Sequence, residues 1–222
     1  MLMQLPRPTA KLAVRFLFYV IGLFILALGV AFSVNSRLGV SPVSSLPYVA
    51  SLITGLNLGL MVMASYLIYI ALQMILLGKK FRWIDLTQLL FSVLFGYFVD
   101  FTKVLLGDFR IPTYPGQLLM LGISMLLISI GVVLYVNVNL INMPMEALTV
   151  AVRDRLFPKR TFSDVKIMLD TTVVTTAILL SFLFLKNVSG VREGTVLSAL
   201  LVGRIMKVIH PIIVPRLRKI CF

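Results

Sequence analysis

The sequence is poor in charged residues, which occupy 13% of its 222 positions. A soluble domain carries roughly 25% charged residues, so the composition excludes that class. Because 59% of the residues are hydrophobic, a chain of this length can accommodate them only if lipid solvates part of its surface. We therefore predict an integral membrane protein made of helices, whose backbone groups satisfy one another in lipid.

Cysteine and histidine are also scarce, which limits the chemistry of the chain. The single cysteine, Cys221, excludes an intramolecular disulfide. The single histidine, His210, has no second ligand at metal-binding spacing. The sequence lacks a nucleophile elbow, a Gly-rich phosphate loop and a paired-carboxylate arrangement. We expect neither an enzyme nor a bound metal or cofactor.

Acidic residues are few, with 8 Asp and Glu against 21 Lys and Arg, so the net charge is +13. The basic residues lie at the ends of apolar stretches instead of forming one basic face. This distribution is typical of charges that set membrane topology beside anionic lipid. The expected partner is the lipid bilayer, and no nucleic acid is expected.

Six apolar stretches are long enough, or nearly so, to cross a bilayer. They are residues 16–34, 58–77, 84–106, 118–138, 167–185 and 194–214. The first run has 19 residues, longer than a signal-peptide core of about 7–15 residues, and is predicted to be a retained helix. The predicted fold is all-α: one transmembrane helical bundle over residues 1–222 with about six spans.

The two halves of the chain resemble each other. At an offset of 102, the stretch 29–35 matches 131–137, and Leu38, Pro42 and Leu46 match Leu140, Pro144 and Leu148. At an offset of 107, the stretch 88–96 matches 195–203. The proposed repeats are residues 16–106 and 118–214. Each would cross the membrane three times, so the second copy would be inverted, as in many secondary transporters.

Each repeat contains a short segment that begins with proline, Pro42–Thr54 and Pro144–Phe157. Proline suits the first helical turn, and Ser41 or Asn142 could cap it. Both segments are too short to span. Two placements remain for each: a half-helix that re-enters the membrane, or an amphipathic helix at the interface, which the charges at 153–155 favour for the second.

The candidate substrate-binding residues cluster around these segments. They are Asn35, Ser41, Pro42, Ser44, Asn137, Asn142, Pro144 and Glu146. Glu146 replaces Ser44 of the first repeat and so adds a charge to one half alone. Two interpretations fit Glu146: a ligand or proton-binding carboxylate, or an acidic residue stabilised by the helix dipole.

Three charges fall inside predicted spans: Asp170, Arg204 and Lys207. Asp170 and Lys207 lie at similar depths on consecutive helices, so we expect Asp170 within salt-bridge reach of Lys207 or Arg204. A structural pair and a functional pair both fit this spacing. A nearby row of threonines is expected to bond to its own helix backbone rather than to a substrate; it consists of Thr171, Thr172, Thr175 and Thr176.

Three motifs suggest a family: LGVSPVSSLP after the first helix, LINMPMEAL at the matching place in the second half, and REGTVLSALLVG before the sixth. They resemble the YczE/YyaS/YitT family of bacterial integral membrane proteins. The first half departs from the family pattern at residues 85–88, where a GxGT turn would stand. The resemblance implies a bacterial plasma-membrane location and this architecture, and says little about activity.

Two functions fit these features. The first is a small secondary transporter or permease for a small polar or anionic solute, bound between the repeats near the midplane. The second is a membrane accessory or scaffold protein that regulates a partner through its inner loops. The sequence leaves the solute and the oligomeric state open.

The basic residues also predict the orientation of the chain. With the amino terminus inside, inner segments hold thirteen Lys and Arg and outer loops hold five, so both termini are predicted to be cytoplasmic. Single cysteines placed at Arg110 and Lys186 should label from outside intact cells, and those at Lys80 and Lys159 should not. Reversed labelling would overturn both the orientation and the inverted repeat.

Overall fold

The computed structural model describes residues 11–222, apart from the side chain of Ser163, and consists of helices with short connections. The eight α-helices of this region are α1 (Leu12–Ser36), α2 (Pro42–Thr54), α3 (Leu58–Leu77), α4 (Thr87–Leu106), α5 (Tyr114–Asn137), α6 (Pro144–Leu156), α7 (Phe162–Leu185) and α8 (Glu193–Cys221). All except α2 and α6 are long and apolar enough to cross a membrane. The predicted all-α bundle with six candidate spans is confirmed.

Several helices differ from the predicted spans at their ends. Helix α7 begins before the predicted Ile167, because Thr161 and Asp164 form a reciprocal capping box there. Helix α8 continues through Pro211 and Pro215 to Cys221. Of the basic residues used to predict the orientation, Arg7 lies outside the described residues.

Helices α1 and α5 form the centre of the bundle as a close antiparallel pair. A Cβ atom added to Gly22 would lie 3.0 Å from the Gly131 carbonyl oxygen, and one added to Gly29 would lie 2.9 Å from the Ile128 nitrogen. The Ser124 hydroxyl donates to the Gly29 carbonyl over 2.8 Å. Small residues allow backbones to approach this closely. Such close packing stabilises helix pairs in lipid, where no hydrophobic force acts between helices.

Arg15 fixes the register of this pair near the start of α1. Its Nε donates to the Val138 carbonyl over 2.8 Å, and its Nη2 donates to the Asn139 carbonyl over 2.7 Å. The start of α1 and the end of α5 therefore lie at one face, called here the amino-terminal face. A guanidinium suits this role because one planar group can serve two carbonyl oxygens.

The other helices pack around the central pair. Helix α4 packs on α1, α8 on α5, and α3 on α4. The short helices cross between the halves, since α2 packs on α7 and α6 packs on α3. Within residues 11–222, α7 and α8 are consecutive but do not pack closely against each other.

The short helices begin at the predicted prolines, but the predicted caps are wrong. Ser41 occupies the cap position of α2, yet its side chain makes no capping hydrogen bond within the described chain. Its hydroxyl donates instead to that of Ser44, over 3.0 Å. The cap position of α6 is Met143, one residue after Asn142, and the Met143 side chain makes no capping hydrogen bond among the described residues.

The glycine contact gives a stability test with a control in the same helix. Gly131→Ala would place a Cβ atom 2.7 Å from the Gly22 oxygen and 2.7 Å from the Leu26 nitrogen, both backbone atoms. We expect a loss of about 1–3 kcal/mol in the free energy of unfolding, measured in mixed micelles. Gly122→Ala meets nothing within 4 Å and should cost nothing. Equal losses would contradict the close α1–α5 contact.

Candidate functional site

The first turn of α6 places a carboxylate inside the bundle. Glu146 follows Pro144 and Met145, both buried. The Tyr135 hydroxyl on α5 lies near the Glu146 carboxylate and favours its ionised form. Burial raises the pKa of Glu146, against the lowering influence of Lys166 on α7. A carboxylate in such a place is expensive unless it has a partner or a function.

Tyrosines from three helices surround this carboxylate. Besides Tyr135, Tyr19 of α1 and Tyr66 of α3 lie within electrostatic reach of Glu146. The Tyr19 ring is 5.8 Å from that of Tyr135, and its hydroxyl donates to the Met143 sulfur over 3.6 Å. Buried tyrosines offer hydroxyls in an otherwise apolar layer, so the half-buried Glu146 lies in a partly polar environment.

An ion pair on α7 lies beside this group. Lys166 and Asp170 are 2.6 Å apart, Nζ to Oδ1, with both side chains 22% exposed. Both charges act on Glu146. Asp170 also acts on Tyr69 of α3. The Tyr69 hydroxyl is buried and has no hydrogen-bond partner among the described residues.

Two glutamines connect the start of α6 to α3 and α4. The Gln73 Nε2 donates to the Pro144 carbonyl over 2.9 Å. The side-chain amides of Gln73 and Gln88 also exchange hydrogen bonds at 3.4 Å. Gln73 therefore holds the head of α6 in place.

A cavity of about 340 Å³ opens beside these glutamines. Amide and charged side chains dominate its polar lining, which comprises Gln73, Gln88, Asn139, Asn142, Arg82, Asp85 and Asp154. Arg82 and Asp85 form a salt bridge at 2.7 Å. The hydrogen bond from Arg82 to Asp85 raises the pKa of Arg82, so it stays a cation. The size falls within the range of small-molecule sites.

A second cavity of about 490 Å³ lies at the other end of α4. Charges of both signs line it: Arg37, Asp100, Lys103, Asp108 and Arg110. The Asp100 carboxylate accepts a hydrogen bond from the Gly59 N–H over 2.7 Å, at the start of α3. Because α4 begins at one cavity and ends at the other, the two cavities open at opposite ends of the bundle.

The chain matches the family described as "Family of unknown function (DUF6198)" over residues 13–211. It belongs to the DUF6198 family. In Bacillus subtilis (strain 168), "Uncharacterized protein YyaS" is 28% identical over 200 residues, which cover 90% of this chain and 94% of that protein. "Uncharacterized membrane protein YczE" is 30% identical over 148 residues, 65% of this chain and 66% of that protein. No solved structure gives a significant match.

These relatives confirm the resemblance to YczE and YyaS. Together with the six long apolar helices, they make this DUF6198 chain a multi-pass membrane protein. The names of these relatives describe no activity.

The structure divides the predicted binding residues between the two ends of the bundle. Asn35 lines the cavity near Asp100 and donates to the Gly107 and Phe109 carbonyls at 3.0 Å each. At the amino-terminal face, Asn142 lines the other cavity. Asn137 instead donates to the Val133 carbonyl of its own helix. Pro42 and Ser44 are buried in α2 and line neither of these cavities.

In this DUF6198 chain the candidate site lies near the amino-terminal face, whereas the sequence predicted a site near the midplane. Tyr135 is two residues from the last residue of α5, Asn137. Gln88 is the second residue of α4. The cause is the position of α6, which begins close to where α5 ends.

The predicted partner of Asp170 is wrong. Asp170 pairs with Lys166, one turn earlier in α7, instead of with Lys207 or Arg204. Those two cations are exposed on α8, which does not pack on α7 within the described chain. The spacing of four residues between Lys166 and Asp170 was a signal for this pair within the sequence.

Three of the four threonines in the row on α7 bond to their own helix backbone, as predicted; Thr175 makes no such bond within the described chain. The Thr171, Thr172 and Thr176 hydroxyls donate to carbonyls four residues earlier, over 2.7 to 2.9 Å. All three side chains are exposed. This row is therefore excluded from the candidate site.

Sequence reasoning missed Gln73, Gln88 and the tyrosines. The signal for Gln73 was present, because an amide within the apolar α3 sequence needs a partner in lipid. Its partner could not be found from sequence, since Gln73 and Pro144 are 71 residues apart. A tyrosine in the sequence indicates a polar site less clearly, because its ring suits an apolar helix.

Gln73→Leu tests whether this glutamine holds α6. The substitution would leave the buried Pro144 carbonyl without its donor, so the free energy of unfolding in micelles should fall by about 1–3 kcal/mol. Gln117→Leu on α5 is the control, because Gln117 is partly exposed and makes no side-chain hydrogen bond within residues 11–222. Similar stability for both variants would show that the contact with α6 contributes little.

Proposed function

We propose that this protein is a secondary transporter for a small polar solute. The observation that carries the proposal is a pair of polar cavities, of about 490 and 340 Å³, at opposite ends of the same α3–α4 helix pair. Such cavities fit alternating access, in which a site is exposed first at one face and then at the other. Their location at the two ends differs from the single midplane site expected from sequence.

Packed side chains separate the two cavities. The Tyr66 and Phe95 rings stack with centroids 6.0 Å apart between α3 and α4. Nearer the end marked by Asp100, the backbones of Gly59 and Gly96 meet closely. Passage of a solute would therefore require movement of whole helices, which rigid-body rocking of one repeat against the other would supply.

Helix packing supports the inverted repeat on which the proposal rests. In the predicted correspondence, α1 pairs with α5, α2 with α6, α3 with α7 and α4 with α8. The observed contacts α2–α7 and α6–α3 are then equivalent, as are α1–α4 and α5–α8. The α3–α4 contact has no close equivalent between α7 and α8 in the described chain, so the two halves differ in conformation.

The cavity linings favour a polar solute over a purely anionic one. At the amino-terminal face, four amide side chains accompany one Arg and two Asp. At the opposite end, cations and carboxylates occur together. An anion would meet carboxylates in both cavities, whereas a neutral or zwitterionic solute finds donors and acceptors in each.

The second candidate function is a membrane accessory protein that binds a partner, and the surface of α8 favours it. Of the most apolar stretch of α8, 6% is buried, against 56% for α5. Arg204 and Lys207 are exposed on this helix, whereas charges within spans usually face protein or water. A partner helix that brings acceptors would cover them.

Thermal unfolding of the purified protein across a library of small polar solutes tests the first candidate. A solute that binds only the folded state at a hundred times its Kd adds about 2.7 kcal/mol to stability. Asn142→Ala removes an exposed amide from the cavity lining, and should weaken binding about tenfold if it loses a hydrogen bond to the solute.

Thr175→Ala is the control, because Thr175 is exposed on α7 and lines neither cavity. A solute that stabilises the Asn142 variant as well as the parent would bind elsewhere. Uptake of the solute into liposomes then decides the function: binding without uptake would favour the accessory role.

A further inference from the structure

The charges around Glu146 do not balance. The charged groups that act on it are Lys166 and Asp170, both on α7. From α1, α3 and α5, the ionisable groups near it are Tyr19, Tyr66 and Tyr135, which are neutral as phenols. Lys166 is already 2.6 Å from Asp170. Two carboxylates therefore share one ammonium, and the ionised site carries one excess negative charge.

The space around Glu146 suits a very small cation. The cavity at the amino-terminal face is lined by Ala147, the next residue of α6, but not by Glu146 itself. Rings from α1 and α5 pack beside the carboxylate, with Tyr19 and Tyr135 5.8 Å apart. An organic solute in the cavity would thus lie one layer away, whereas a proton needs only a hydrogen-bonded path.

A second observation points to a missing hydrogen-bond partner in the same region. The Tyr69 hydroxyl is buried, and the residue is 4% exposed. It has no partner within residues 11–222, although Asp170 acts on it electrostatically. A buried hydroxyl is normally satisfied by protein or by water, and a water there would link the Lys166–Asp170 pair to the interior.

We infer that Glu146 is a proton-binding site that couples α6 to α7 during transport. The proton comes from water in the cavity at the amino-terminal face and binds to the carboxylate oxygen, and release reverses the step. When Glu146 is protonated, Lys166 pairs with Asp170 alone. When Glu146 is ionised, it competes with Asp170 for Lys166. The role in transport rests on the proposed function, but proton binding itself does not.

Infrared difference spectroscopy of the full chain in phosphatidylcholine vesicles, titrated with acid and without solute, tests the inference. A carbonyl band from a protonated carboxyl group should already grow at a pH above the range in which ordinary Asp and Glu side chains protonate, and Glu146→Gln should abolish this early band. Asp100→Asn is the control, because Asp100 is part-buried like Glu146 but accepts a hydrogen bond from the Gly59 N–H. Its band should match that of the parent.

Two further variants should shift the pH midpoint of this band in opposite directions. Tyr135→Phe removes a nearby hydroxyl that favours ionised Glu146 and should raise the pH midpoint by about one unit. Asp170→Asn removes a negative charge and releases Lys166, so the midpoint should fall. These variants keep the test valid if Glu146→Gln fails to fold.

Two results would overturn the inference: a band that survives Glu146→Gln, or midpoints that do not move with Tyr135→Phe and Asp170→Asn. Failure of the solute library with a normal Glu146 band would reject the transport proposal while leaving the proton site. Stabilisation by a solute in a protein that lacks the Glu146 band would reject the proton site and leave the transport proposal.

Discussion

The close contact between α1 and α5 is the constraint on which the arrangement of the other helices depends. In lipid, helices associate through packing and hydrogen bonds, because apolar side chains gain little by leaving one apolar medium for another. Gly22 and Gly131 let the two backbones meet, and the Ser124 hydroxyl bonds across to Gly29. Helix α4 then packs on α1, and α8 packs on α5.

The same contact builds the candidate site. It brings Tyr19 beside Tyr135 and holds the start of the loop after α5 against Arg15. That loop is short, so α6 has to begin close to the end of α5. Gln73 then binds the first carbonyl of α6 from the side of α3. A carboxylate in the first turn of α6 consequently lies among four helices.

Sequence reasoning located the elements of this fold well, because their signals are local. Long apolar runs identified the spans, and proline identified the first residue of α2 and of α6, Pro42 and Pro144. It identified Glu146 as a charge present in one half alone, though it left its role open. These features depend on a few consecutive residues, which is why one sequence was enough.

Features that depend on helix packing could not be found in this way. The expected pairing of Asp170 with Lys207 assumed that consecutive helices pack, as short connections usually imply. In the described chain α7 and α8 do not, so the nearer spacing to Lys166 decided the pair. The predicted cap of α6 is also wrong, because Met143, and not Asn142, occupies the cap position.

The difference between the halves explains why the proposed proton-binding site lies in the second one. At the position that the predicted repeat aligns with Glu146, the first half has Ser44, whose hydroxyl accepts a hydrogen bond from that of Ser41. A neutral pair of this kind needs no counter-ion, so α2 can pack as a structural element. A carboxylate at the head of α6 depends more on its neighbours, and Lys166 and Asp170 place one charge of each sign beside it on the helix that follows. A change in the charge of Glu146 would therefore act on Lys166 and Asp170 of α7. Within the described chain this helix does not pack closely on α8.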